Sequence, residues 1–166
     1  MSLYQFFASH KPLKELANPY IEHWSINDLI AKGMEVPFHL LDTSIDRDEK
    51  FILWCDSEDH MYEINIFNAP GSSFQNYKEV SYKSQIATLE WRYTDQRAEG
   101  LIQYIREVLN DEMYDDEIEF WHVWMDDSLD ALDLREYEVN QLTVPILREL
   151  FGKECYEHPV CLRIRK

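Results

Sequence analysis

The stretch Glu117–Trp124, Glu-Ile-Glu-Phe-Trp-His-Val-Trp, constrains the fold more than any other part of the chain. On an extended strand, successive side chains point to opposite faces. Glu117, Glu119, Trp121 and Val123 therefore share one face with Met125 beyond them, and Ile118, Phe120, His122 and Trp124 share the other. Both faces turn apolar towards the distal end. Such a strand belongs in the middle of a sheet covered on both sides, so the chain must supply packing material above and below it.

Residues 95–113 supply one cover. Ala98, Leu101, Ile102, Ile105, Val108 and Leu109 recur at three- and four-residue intervals and make a single apolar stripe. Thr94 stands where a helix N-cap is expected. Gly100 inside the stripe costs about 1 kcal/mol of helix stability relative to alanine and suggests a close approach to the sheet. A shorter helix is expected over Ser25–Gly33, with Ser25 and Asp28 spaced as a capping box and Gly33 as the stop. Another is expected over Val144–Phe151, after Thr143 and before Gly152, with Pro145 tolerable in its first turn.

Strands are expected over 36–42, 50–56 and 60–68, the last two joined as a hairpin through Ser57, Glu58 and Asp59. Gln85–Tyr93, Leu134–Val139 and Pro159–Lys166 read as further strands, the last carrying a basic face that suits a sheet edge or a neighbour of acidic residues. The first 24 residues, interrupted by Pro12 and Pro19, read as short helical pieces and turns, and 68–76 as a loop around Pro70-Gly71. No Gly/Ser-rich or Pro-rich linker divides the chain. The expectation is an α+β fold in one domain spanning 1–166: a mostly antiparallel sheet with one long amphipathic helix at about 95–113 and short helices packed on it. With 45% hydrophobic residues and 14% aromatics in 166 residues, there is enough apolar material for a core and no disorder signature.

The formal charge is -16, and it is focal. Eight acids stand against Arg47 and Lys50 between Asp42 and Glu63, and thirteen stand against Arg135 alone between Glu107 and Glu138. The remainder of the chain is slightly basic. A field of this sign repels phosphates, which argues against direct binding of nucleic acid or of an anionic membrane. No apolar run has transmembrane length. Three cysteines, Cys55, Cys155 and Cys161, form neither an even framework nor a CxxC pair, which fits a reducing cytoplasm.

Candidate chemistry is sparse. Cys55, Asp56, Glu58, Asp59 and His60 cluster near a turn, but the glycine that a calcium loop needs for its sharp bend is missing. Cys155, His158 and Cys161 lack a common zinc spacing and a fourth ligand. His122 sits on the more apolar face of its strand, the usual position of a core histidine. Asp126 and Asp127 end the strand, and Ser128 is placed to cap a turn in which Asp130 and Asp133 share a face. Carboxylates at strand ends serve metal-dependent hydrolases, yet no phosphate loop, GxSxG or HExxH accompanies these. No catalytic residue, metal ligand or cofactor is therefore assigned. The reading that accounts for focal charge is an acidic binding protein of inhibitor or immunity type, engaging a basic macromolecule through Asp111, Glu112, Asp115, Asp116, Asp126, Asp127, Asp130 and Asp133. Two alternatives remain at this level. One is a small-molecule or metal-binding protein, or a hydrolase, with a pocket bringing together Cys55, His60, His122, Asp126 and Asp127; the other is a self-associating structural protein.

Overall fold

In the computed structural model of the protein, which describes residues 3–42, 44–69, 81, 83–124, 129–152 and 158–166, Leu3–Ser9 forms strand β1 and Glu117–Trp124 forms strand β6. They pair antiparallel, with Phe6 opposite Trp121 and Phe7 opposite Phe120. The remaining strands of this sheet are Asn65–Asn68 (β4), Gln85–Glu90 (β5), Asp133–Glu138 (β7) and Val160–Arg165 (β8). The spatial order is β4-β5-β1-β6-β8-β7, antiparallel throughout except for the β7–β8 pair. The fold is α+β, as its sequence pattern indicates.

Two helices cover one face. Helix α3, Asp95–Asn110, starts at Thr94, whose hydroxyl accepts the Arg97 N–H at 3.1 Å. Helix α4, Val144–Phe151, connects β7 to its parallel neighbour β8. Thr143 precedes α4 but its side chain makes no capping bond there. Leu101, Ile105 and Val108 of α3 and Leu147 and Phe151 of α4 pack with Phe7, Ile118, Phe120, Leu162 and Ile164 of the sheet. The opposite face buries Phe6, Ala8, Trp121, Val123 and Cys161, joined at its margin by Tyr4, Ile86 and Leu132. Phe6 and Trp121 stack there across the strand pair, with ring centroids 5.9 Å apart. The central strand is thus buried on both faces.

The described residues fall into two compact units, one made of Met1–Ala17 with Ile64–Lys166 and carrying this sheet, the other Asn18–Glu63. The second holds a two-stranded ladder, β2 (Glu22–Trp24) against β3 (Ile52–Trp54), with helices α1 (Ile26–Ala31) and α2 (Glu58–Met61). The capping box on α1 is present: Ser25 Oγ accepts the Asp28 N–H, and Asp28 Oδ2 accepts the Ser25 N–H at 2.8 Å. Gly33 follows with a φ of 72°, the left-handed conformation that favours glycine after a helix. Trp24 stacks on Trp54 at 4.4 Å, and Lys32 lies over the Trp24 ring at 4.3 Å.

Four expectations need correction. The N-terminal segment Leu3–Ser9 is a strand, because it pairs on both sides, with β5 and β6; Pro12 and Pro19 fall beyond it. Residues 36–42 form a 3-10 turn, Phe38–Leu40, in place of a strand: Pro37, with φ near -53°, opens it and its carbonyl accepts the Leu40 N–H at 2.9 Å. The hairpin over 50–68 is absent. Ser57 Oγ accepts the His60 N–H and starts α2, so only Asn65–Asn68 of 60–68 is strand, and β3 pairs with β2. Asp130 and Asp133 do not share a helical face, since Asp130 lies in the 3-10 turn Leu129–Ala131 and Asp133 begins β7. Of the loop expected over 68–76, Asn68 instead ends β4 and 70–76 lie outside the described residues, as does the cap expected at Ser128. No helix among the described residues is long and apolar enough to cross a membrane.

Two predictions follow from packing. The Cβ of a Gly100→Ala variant would meet only the Ile64 Cδ1 methyl, at 3.4 Å, an ordinary contact with a flexible side-chain end. Gly100→Ala is expected to raise unfolding free energy by about 0.5–1 kcal/mol through helix propensity, measured by urea denaturation. Burial pushes the His122 imidazole down to about 4. An unfolded histidine near its usual value of about 6.5 takes up a proton first, so stability present above that pH is lost as pH falls towards 4. The loss attributable to His122 between pH 7 and 5 is about 2 kcal/mol, and His122→Phe should remove it; equal pH slopes for both proteins would refute the assignment.

Candidate functional site

Of the eight acids expected to bind a partner, four converge. The turn from α3 into β6 carries Asp111, Glu112, Asp115 and Asp116, and all four line one open depression of about 390 Å³ with Lys11 and Lys166, over Leu109 and Tyr114. Local hydrogen bonds build the turn. Asp111 ends α3 by donating its N–H to the Glu107 carbonyl at 3.2 Å, and its Oδ1 accepts the Met113 N–H at 2.9 Å. Its carbonyl accepts the Tyr114 N–H at 3.1 Å. Asp115 Oδ2 accepts the backbone N–H groups of His10 and Lys11, tying the segment after β1 to this turn. Lys11 Nζ donates to the Tyr114 carbonyl at 3.0 Å, and the Lys166 N–H donates to the Asp116 carbonyl at 2.9 Å.

The four acids thus divide in role. Asp111 and Asp115 use their carboxylates to hold backbone. Among the described residues, Glu112 and Asp116 make no such bond through theirs, which leaves them for solvent or a partner. The C-terminal end of α3 adds a partial negative charge to the same depression. Lys11 and Lys166 moderate the field, and Met113, 70% exposed, places an apolar side chain in the same turn.

Of the other four acids, Asp130 and Asp133 do not join them. The α3–β6 turn adjoins Glu117, whereas Asp133, opposite Val160, stands at the level of His122, about 17 Å further along the sheet at the usual rise per residue. Asp133 is held by Arg135, with Nη2 2.9 Å from its Oδ2, and Arg135 also reaches Glu149 at 3.0 Å. These hydrogen bonds, Asp133 first, raise the guanidinium above its ordinary range. Asp126 and Asp127 lie outside the described residues.

Much of the second acidic window is neutralised inside the sheet. Strand β8 is interior, between β6 and β7, and its basic face meets acids on both sides. Arg165 donates to Glu117 at 2.7 Å, and Arg163 donates to Glu136 at 2.9 Å and to Glu119 at 3.3 Å. Lys83 stands 2.9 Å from Glu117. Burial pulls the Glu117 carboxyl upward, but the hydrogen bonds from Lys83 and Arg165 outweigh it and leave the group below the usual range. Glu119 is buried to 2% exposure, where Ser81 and Trp121 also donate to its Oε2 at 2.5 and 3.0 Å. This carboxylate is part of the packing, satisfied by three donors.

Of the residues of the alternative pocket, His122 belongs to the unit that carries the large sheet, Cys55 and His60 belong to Asn18–Glu63, and Asp126 and Asp127 lie outside the described residues. His122 is 1% exposed beneath α4, its ring 5.5 Å from that of Phe151, and presents no surface to a substrate. Cys55 and His60 lie in the Asn18–Glu63 unit, where Asp56 Oδ1 meets His60 Nδ1 at 2.6 Å and Tyr20 stacks on the imidazole at 4.0 Å. Cys161 is fully buried, and burial followed by the nearby Glu119 charge pushes its thiol far above the usual range, the reverse of an activated nucleophile. Cys155 lies outside the described residues, and His158 is exposed. Among the described residues, no group of three or more His, Cys, Asp or Glu side chains is placed to hold a metal ion.

Lys11 and Lys166 were not recognisable as parts of this site in the sequence, because only the sheet brings the two chain ends beside residues 111–116. The basic alternation of Arg163 and Arg165 was the visible signal for the Glu117, Glu119 and Glu136 contacts. No protein-family model matches the chain, and no curated protein or solved structure matches it.

The division of labour among the acids is testable by stability. Asp115→Ala should cost about 1 kcal/mol by removing the acceptor of two backbone donors, whereas Glu112→Gln should stay within about 0.5 kcal/mol of the parent. Urea denaturation of the two variants checks this, and equal effects would contradict it.

Proposed function

We propose that the protein is a non-enzymatic acidic binding protein that engages a basic macromolecule, in the manner of an inhibitor or immunity-type antagonist. The observation that carries the reading is the gathering of Asp111, Glu112, Asp115 and Asp116 around one open depression on a rigid turn. A surface of this kind attracts a cationic partner over a distance comparable to the Debye length, speeds encounter and rejects anionic competitors. Glu112 and Asp116 are the residues assigned to the contact, with Asp111 and Asp115 shaping the turn beneath them. The formal charge of -16 disfavours nucleic acid and anionic lipid as ligands. A reducing cytoplasm is the compartment that suits this reading, in keeping with the free thiols of Cys55 and Cys161.

The test is association with cationic proteins encoded beside this one, followed by stopped-flow mixing at rising salt. The parent protein should associate rapidly at low ionic strength and more slowly as salt rises. The Glu112→Gln/Asp116→Asn variant should associate about tenfold more slowly at low salt and converge with the parent at high salt. Absence of salt-sensitive association with every candidate would overturn the proposal.

A further inference from the structure

Residues Asn18–Glu63 combine two properties that seldom coincide. The first is charge. These 46 residues carry eleven carboxylates against Lys32, Arg47 and Lys50, a strong excess of negative charge within the unit. The second is apolar exposure. Among the described residues, Asn18–Glu63 buries only Trp24, Ile26 and Leu29 of its large apolar side chains, and leaves eight exposed. Among the described residues of the larger unit, four such side chains are exposed. Scattered apolar side chains on a surface are ordinary; a unit that exposes more large ones than it buries is not.

The exposed residues are concentrated between α1 and the 3-10 turn. Ile30, Met34, Phe38 and Leu41 are exposed by 49%, 43%, 89% and 52% respectively, in a segment of twelve residues. The segment is held in place. Met34 N–H donates to the Leu29 carbonyl at 3.0 Å, and Leu40 and Leu41 N–H groups donate to the Pro37 and Phe38 carbonyls at 2.9 and 3.1 Å. Phe38 is therefore presented from a hydrogen-bonded turn begun by a proline, so little backbone freedom remains to be lost on binding. An aromatic side chain presented in this way has the form of an interface anchor.

We propose that the segment Ile30–Leu41 is a docking surface for a cationic, amphipathic protein segment, with Phe38 as its central anchor. The proposal rests on the reading of the protein as a binder of basic partners and adds a second contact surface and the partner's chemistry. Charge complementarity selects this occupant. A second copy would bring the same negative charge, and an anionic bilayer or a nucleic acid would be repelled. A partner with lysines or arginines flanking an apolar stripe satisfies both properties at once: its cations meet carboxylates of the unit such as the exposed Glu35 and Asp42, and its stripe covers Phe38, Leu41, Ile30 and Met34. Methionine beside aromatic and branched side chains adapts readily to such a stripe.

The probes are two fluorescent peptides of eighteen residues and equal charge, one a Lys/Leu amphipathic helix and the other Lys/Ser. Binding to the full chain is followed by anisotropy at low and high salt. The Lys/Leu peptide should bind at least about tenfold more tightly than Lys/Ser. Phe38→Ser should weaken Lys/Leu binding by roughly thirtyfold, as expected for an anchor, and leave the weak Lys/Ser binding unchanged. Leu134→Ser, at an exposed apolar position in the larger unit, should bind as the parent does. Unchanged melting temperatures would confirm that both variants remain folded, as the exposure of the two side chains leads one to expect.

Equal affinity of the parent for both peptides, or equal behaviour of the Phe38→Ser and Leu134→Ser variants, overturns the docking surface. If only Glu112→Gln/Asp116→Asn then weakens binding, the depression retains its role and the docking surface alone is lost. If neither peptide shows salt-sensitive binding, both readings fall. Phe38-dependent binding to phosphatidylglycerol-containing vesicles, or a Phe38-dependent dimer in sedimentation equilibrium, would also overturn the assignment of a cationic protein segment as the occupant.

Discussion

Strands β1 and β6 lie side by side with both faces withdrawn from water, and each face has to be covered. On one face α3 and α4 supply the cover, and the stripe of Ala98, Leu101, Ile105 and Val108 meets Phe7, Ile118 and Phe120. On the other face, Phe6 stacks on Trp121 beside Ala8, Val123 and Cys161. Apolar burial on this scale is the main favourable contribution to folding, and it is non-directional. Direction comes from polar groups set into the same strands. Glu119 needs Ser81, Trp121 and Arg163 to satisfy it, so it disfavours registers in which those donors are displaced.

The register of β6 against β8 has an electrostatic consequence. It sets Glu117 opposite Arg165 and Glu119 opposite Arg163, while β7 brings Glu136 to Arg163 from the other side. Acids that look in sequence like part of one continuous negative window are thereby neutralised within the sheet. Those of the α3–β6 turn lie beyond the end of the strand, where Asp111 and Asp115 hold backbone and Glu112 and Asp116 face the depression. The chain's negative charge is therefore distributed by topology, with part of it paired inside the sheet and part of it left at the α3–β6 turn.

That second unit departs from the logic of the first. Its sheet is a three-residue ladder and its helices are short, so local devices hold it: the Ser25–Asp28 capping box, the Ser57 cap, the Trp24–Trp54 stack and the Pro37 turn. Such devices each contribute about 1 kcal/mol and need little buried area. They can therefore hold apolar side chains outward, as Phe38 is held. A large apolar surface left in water beside dense negative charge is the physical basis for treating this unit as an interaction surface.

By itself the sequence determined the elements whose signals are local. The stripe over 95–113, the caps at Thr94 and Ser25, the stop at Gly33 and the two-sided apolar strand at 117–124 were all legible, because period and capping chemistry act within a few residues. The α+β class followed from them. Strand β1 was not legible, since its short apolar run suits a helix or a strand equally well and Pro12 and Pro19 nearby suggest turns, so pairing with β5 and β6 decided it. The turn at Phe38–Leu40 was hidden by apolar residues that suit a strand equally well, and helix α2 by Ser57, Glu58 and Asp59, which suit a hairpin turn, until the Pro37 carbonyl accepted from Leu40 and the Ser57 hydroxyl from His60. Only the tertiary structure separated the acids of 111–116 from Asp130 and Asp133, brought Lys11 and Lys166 to the former, and spent Arg163 and Arg165 on Glu117, Glu119 and Glu136. Charge along a chain is additive, whereas the field at a site depends on which charges strand pairing places side by side, and that pairing is long-range.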